Sequence, residues 1–309
     1  MKAIFFGTPD YVVPIAQALH KAYNQGREKQ FTAVVTQEPK PTGRKGYLTF
    51  SAIDDWAHKK GIKVLTNPED VWESDLGIVA SYGKILSKDV IKRFKHGILN
   101  IHPSCLPDLR GATPIPASIL RGDTTACVTI IKMDEELDHG PILSKFKAEI
   151  LPTDTTETLR TRLFELSAEF LMELIPSYLS GKINLKSQNH KEATLTRLLK
   201  KSDGFIPPQY LSQVLEGKSV NEDWTIRFMN NYNLKPAPQT LFNFVRAMHP
   251  WPGAWTTIKT KEKSKSLKIL KAHIEDNKLV LDEVHLEGKS PTTWKQFQLG
   301  YPEAKFVQT

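Results

Sequence analysis

Cysteine is scarce in this 309-residue chain, and apolar runs of any length are missing. The two cysteines, Cys105 and Cys127, stand 22 positions apart without a C-x-x-C spacing, which excludes a thiolate metal site and fits a reducing cytosol. No apolar run approaches the roughly 18 residues that cross a bilayer, so no membrane partner is expected. G-x-G-x-x-G and G-x-x-x-x-G-K-[ST] are both absent, and nothing argues for NAD or ATP. No H-x-x-x-H pair occurs either, so no metal is expected. The first residues carry one cation and break at a turn after Phe6, which reads as a first strand rather than a signal peptide.

What is present is unevenly charged. Residues 1–181 hold 22 Lys and Arg against 22 Asp and Glu, whereas residues 182–309 hold 20 against 12. The whole net charge of +8 therefore sits in the C-terminal part. Lys259, Lys261, Lys263, Lys265, Lys268 and Lys271 are opposed there by Glu262 alone. A single such run can be a solvated hairpin, but a basic module joined to a neutral one suggests a polyanionic partner, RNA above all.

Residues 2–6, 31–36, 76–80 and 97–101 are apolar and strand-length, and the first pair is separated by a turn and a helical pattern over 11–23. Strand, turn, helix, strand opens an open, mostly parallel α/β sheet with flanking helices. Ser51 reads as an N-cap for a helix over 51–60. Residues 126–133 and 141–150 are strand-like, and 113–121 is helical. A long helix follows, with Leu159, Leu163, Leu166, Phe170, Leu174 and Tyr178 as its core stripe until Gly181. Three segments are expected: a catalytic domain over 1–181, a linker or insertion over 182–237, and a smaller, basic, mainly β domain over 238–309. The last contains a helix over 239–248 and then short strands.

One stretch carries chemistry. Residues 97–101 read as a buried strand that breaks at Pro103, and Asn100 and His102 leave an extended strand on the same face. Asp138 stands at its own strand end before Gly140 and Pro141, so an amide, an imidazole and a carboxylate can converge. Open α/β sheets place ligands at such strand ends. Taken singly, each has a bland reading: a turn-capping Asn, a satisfied core His, a turn Asp.

Asn100-x-His102-x-Ser104-x-Leu106-Pro107-x-x-Arg110-Gly111, with Leu137-Asp138-x-Gly140 after it, resembles the folate-dependent formyltransferases. Residues 5–14 and 36–46, and His249-Pro250-Trp251-Pro252-Gly253 near the C-terminal third, are similar to the branch acting on a charged tRNA. The resemblance is dense over 1–181 and thinner beyond. It implies a formyltransferase-type sheet followed by a shortened, OB-like barrel. It further implies 10-formyltetrahydrofolate as co-substrate, initiator methionyl-tRNA as partner, and a cytoplasmic, monomeric protein. Asn100, His102 and Asp138 would be catalytic. Ser104, Cys105, Leu106 and Pro107 would contact folate, with Tyr82 and Gly83 near its pterin. Lys40, Arg44 and Lys45 would sit on a loop reaching the tRNA acceptor stem.

Formyl transfer is acyl transfer, and it needs an oxyanion donor, proton management and a dry pocket. The Asn100 amide and His102 ring can donate to the oxyanion, and Asp138 can hold the imidazolium and take the amine's proton. No covalent nucleophile is required, so Cys105 is expected to be a pocket wall. Two alternatives remain open at this point: transfer to a small amine, such as an amino sugar nucleotide or glycinamide ribonucleotide, and a non-catalytic RNA-binding relative.

Overall fold

A computed structural model describes the chain except for Arg27, residues 43–46, Glu262 and residues 307–309. Its contacts divide into two compact units. The first comprises residues 1–110, 127–148 and 160–193, and the second 111–126, 149–159 and 194–309. These units cut the chain differently from the three consecutive segments expected above.

The first unit is built on a seven-stranded sheet. Its strands are β1 (Ala3–Gly7), β2 (Phe31–Val35), β3 (Lys63–Leu65), β4 (Leu76–Ala80), β5 (Ile98–His102), β6 (Thr125–Lys132) and β7 (Ile142–Glu149), in the order β7-β6-β5-β4-β1-β2-β3. The four pairings from β5 through β4, β1 and β2 to β3 are parallel, and β6 runs antiparallel to β5. Every residue of β1 and β4 is buried, as expected of central strands covered on both faces. The helices are α1 (Val13–Tyr23), α2 (Ala52–Lys59), whose N-cap Ser51 accepts from the Asp54 amide, and α3 (Lys88–Lys92).

The long helix predicted from periodicity, α5, spans Thr156–Leu179, but its buried line differs from the expected stripe. Leu163, Ser167, Leu171 and Ile175 are sealed, while Leu166 is 38% exposed. Ser167 turns its hydroxyl back to the Leu163 carbonyl at 2.7 Å, so a small polar residue sits on the packed face without an unmet bond. Phe170 keeps a ring contact with Phe146, 5.0 Å between centroids.

In the second unit, α4 (Pro114–Arg121) packs against α7 (Pro238–Met248). Residues 204–236, inside the stretch expected as a linker or insertion, contribute side chains to the core. They include helix α6 (Pro208–Leu215), and Ile206, Leu211, Val214, Phe228 and Leu234 are buried. The C-terminal sheet is antiparallel throughout, built on β8 (Ala254–Lys259), β9 (Ser264–Glu275) and β10 (Lys278–Leu286). Thr292–Thr293 joins one edge and β11 (Lys305–Phe306) the other, and α8 (Trp294–Gly300) lies between them in sequence. The strands are longer than expected, twelve residues in β9, and α8 was not anticipated. Trp255 on β8 pairs with Lys268 on β9, which pairs with His285 on β10, so an aromatic ring and a cation share one face. Lys271 of the lysine run is offset by Glu283 at 3.5 Å.

Candidate active site

The three polar residues of the central motif meet. Asn100 and His102 leave β5 on one face, two residues apart. The turn between β6 and β7 brings Asp138 to them, with its backbone in the left-handed region at φ 49°. The Asn100 amide donates to Asp138 Oδ1 at 2.9 Å, and His102 Nδ1 lies 3.5 Å from Asp138 Oδ2. On the other side of the ring, His102 Nε2 is 3.0 Å from the Leu109 carbonyl oxygen. A carbonyl only accepts, so Nε2 must carry a hydrogen to make that bond. The Asp138 carboxylate faces Nδ1 on the opposite side of the ring, so the two contacts together fix the orientation of the imidazole. The His102 and Asp138 side chains are 6% and 8% exposed, so this pairing is poorly screened by water.

The turn that carries Asp138 is held tightly. Gly140 has no side-chain space: a Cβ there would lie 1.9 Å from the Lys132 carbonyl oxygen. That close approach of the turn to the end of β6 is the physical reason for Gly at this position. Lys132 N also donates to the Pro141 carbonyl at 2.9 Å.

Ser104, Cys105, Leu106 and Pro107 form a loop immediately after β5, anchored on β6. The Thr129 hydroxyl donates to the Ser104 carbonyl at 2.6 Å and accepts from the Leu106 amide at 3.2 Å. Leu106 packs with Ile131 and Ile142 in a buried apolar cluster that anchors the loop. The expectation of two separate thiols is corrected here: Cys105 and Cys127 form a disulfide, 4.9 Å between Cα atoms. Thr129 explains the encounter. It holds both neighbours of residue 105, and Cys127 lies two residues earlier on the same face of β6.

Tyr82 is also corrected. Its ring is 1% exposed and packs edge-on against Phe6 at 5.7 Å, inside the core rather than along an open slot. Ser81, at φ 47°, turns the chain there and sends the next side chain back under the sheet. Burial pushes the Tyr82 hydroxyl up to about 12, so it stays neutral. What Tyr82 does present is its carbonyl, which accepts from Thr8 Oγ1 at 3.2 Å and from Gln37 Nε2 at 3.0 Å. Gly83 follows at φ 78°.

Lys40 lies on the first strand of a hairpin, Lys40–Thr42 with Tyr47–Thr49, and donates to Gln37 Oε1 at 2.8 Å. Tyr47, Leu48 and Phe50 are exposed at its end. Arg44 and Lys45 lie outside the described residues. Among the described residues, no group of three or more His, Cys, Asp or Glu side chains can hold a metal ion, and no helix is long and apolar enough to cross a membrane.

Two buried residues at the site were not singled out by sequence. Arg110 was only part of the motif, and Gln188 fell inside the expected linker. Arg110 Nη2 donates to Gln188 Oε1 at 2.7 Å, and Gln188 Nε2 donates to the carbonyls of Asp138 and Gly140, both at 2.8 Å. Gln188 lies 50 residues beyond Asp138, and no local pattern reveals such a contact.

Residues 1–175 match the family profile described as formyl transferase, and residues 235–279 match the formyl transferase C-terminal domain. The chain belongs to the formyl transferase family. Its relatives include the methionyl-tRNA formyltransferase of Chloroflexus aggregans, 37% identical over 83% of this chain and 76% of that protein. The methionyl-tRNA formyltransferase of Listeria innocua is 35% identical over 90% of this chain and 80% of its own length. Among solved structures, the methionyl-tRNA formyltransferase from Clostridium thermocellum shares the fold at a TM-score of 0.57, with 17% identity over 93% of this chain and 98% of that one. An N-formyltransferase from Helicobacter canadensis, in complex with folinic acid and dTDP-3-aminofucose, shares it at 0.60 with 16% identity, over 89% and 88%.

Proposed function

We propose that this enzyme moves the formyl group of 10-formyltetrahydrofolate onto the free amine of initiator methionyl-tRNA. The observation that supports it most is the meeting of Asn100, His102 and Asp138 on a chain whose relatives carry that activity in their names. The amine nitrogen attacks the formyl carbon, a tetrahedral intermediate forms, and the carbon–nitrogen bond to the folate breaks as its nitrogen takes up a proton. One N–H of Asn100 is held by Asp138, which leaves the other to donate to the developing oxyanion. The His102 ring stands beside that oxygen, and Asp138 fixes the ring and accepts the proton released by the amine, directly or through water.

Ser104, Cys105, Leu106 and Pro107, with the backbone near Gly83, would hold the donor. Lys40, Arg44 and Lys45 would meet the tRNA acceptor stem, and the basic part over 238–309 its backbone. In this reading residues 1–181 do the chemistry, and the protein works as a monomer in the cytoplasm.

The test is incubation with formyl-folate and charged initiator tRNA, against uncharged tRNA and a sugar amine. Formylmethionyl-tRNA is the expected product, and apparent affinity for the tRNA should fall steeply with added salt. Formylation of the sugar amine alone would overturn the assignment. Arg44→Ala should weaken tRNA use while leaving slow hydrolysis of formyl-folate unchanged, and equal effects on both would refute a tRNA role for that loop.

A further inference from the structure

We propose that Gln188 is a positioning residue for Asp138, acting on the backbone of the turn that carries the carboxylate. The inference rests on the reading of Asp138 as part of the active site. An Asp in the left-handed region gives up backbone stability, and such a conformation persists only where its surroundings impose it. Gln188 is placed to impose it. Its amide donates one hydrogen to the Asp138 carbonyl and the other to the Gly140 carbonyl, both at 2.8 Å, so one buried side chain spans both peptide groups of the turn.

The amide cannot reverse its ends without loss. Its oxygen accepts from Arg110 at Nη2, 2.7 Å, and at Nε, 3.3 Å, and Arg110 is itself buried. Turned round, the NH₂ would face a guanidinium and the oxygen would face two carbonyls. The orientation of this amide is therefore set by chemistry rather than by choice of fit. Arg110 also donates to His190 Nδ1 at 2.8 Å, and the His190 ring stacks on His139 at 3.8 Å, so the residue between the two carbonyls is engaged as well. The segment that brings Gln188 in is registered by a pair of backbone bonds, Ile142 N to Lys186 O at 2.8 Å and Lys186 N to Ile142 O at 2.9 Å.

The carboxylate at the end of this chain of contacts bridges an amide at 2.9 Å and a ring nitrogen at 3.5 Å. A shift of the turn by a fraction of an ångström loosens both. Misplacement on the scale of an ångström costs catalysis about 10²-fold while leaving the substrate sites intact.

Gln188→Glu in the full-length protein separates this role from simple packing. The carboxylate has the same size and keeps its partner Arg110, but it offers no hydrogen to the two carbonyls. The expected result is a loss of about 10²-fold in kcat with KM for donor and tRNA held within about threefold. Gln188→Met, uncharged and equally long, should show the same split. In an Asp138→Asn background, either change should cost no more than about threefold further, because residues acting through one group do not add.

Wild-type kcat in both variants would overturn the proposal. So would an undiminished loss in the Asp138→Asn background, or a loss that disappears once rates are scaled to the folded fraction. The unmodified protein is assayed first. If it forms no formylmethionyl-tRNA, the functional reading falls and takes this one with it; if it does and the variants match it, only the role of Gln188 falls.

Discussion

Replacing His102 with alanine is expected to reduce formyl transfer by about 10²- to 10⁴-fold while donor binding survives. The ring contributes most where charge develops, in the transition state, and little to holding the donor in the ground state. Its removal also takes one partner each from the Leu109 carbonyl and the Asp138 carboxylate in a nearly dry site. Loss of such buried bonds costs about 1–3 kcal/mol of stability, so activity has to be measured well below the melting transition. Steady-state kinetics with charged initiator tRNA, alongside equilibrium binding of the folate, give the two numbers. Undiminished turnover would remove His102 from the mechanism.

Asp138→Asn should cost a similar amount, about 10³- to 10⁴-fold, for a different reason. The change is almost isosteric, so the fold should tolerate it. With its oxygen toward Asn100, the new amide points NH₂ at His102 Nδ1, which must then give up its hydrogen. Nε2 keeps its own for the Leu109 carbonyl, and the ring donates on that side alone. With the amide turned over, two NH₂ groups oppose each other at the Asn100 contact. The first arrangement takes a hydrogen from the ring and the second sets two donors against each other, so neither reproduces the contacts of the unaltered site. A variant within tenfold of the unaltered enzyme would show that the Asp138 carboxylate is not required.

Asn100 and His102 were legible from local geometry, and Asp138, 38 residues beyond Asn100, was joined to them through the resemblance. Two residues apart on a strand means one face, and Gly140-Pro141 marks the break that frees Asp138. The parallel strands were legible for the same reason, as short apolar runs between turn formers. Tyr82 was misread because a single φ of 47° at Ser81 decides whether the next ring faces a cleft or the core. The stripe on the long helix slipped after Leu163, since apolar residues on more than one face leave the packed line to be chosen by tertiary fit. Gln188 and the joining of Cys105 to Cys127 depend on contacts between distant segments, which periodicity does not encode.

The path of the chain through its second unit has a practical consequence. Seven of the eight residues of α4 are buried, and their cover comes from a helix more than a hundred positions later. Thr113 is bonded to Thr196 and Arg197, Thr156 to the Ala247 carbonyl, and Arg246 to the Asp154 carbonyl. A gene cut after codon 181 would strip α4 of that cover and leave Ile115, Ile119 and Leu120 facing water. The product of such a truncation would be an aggregating fragment, not a smaller catalyst.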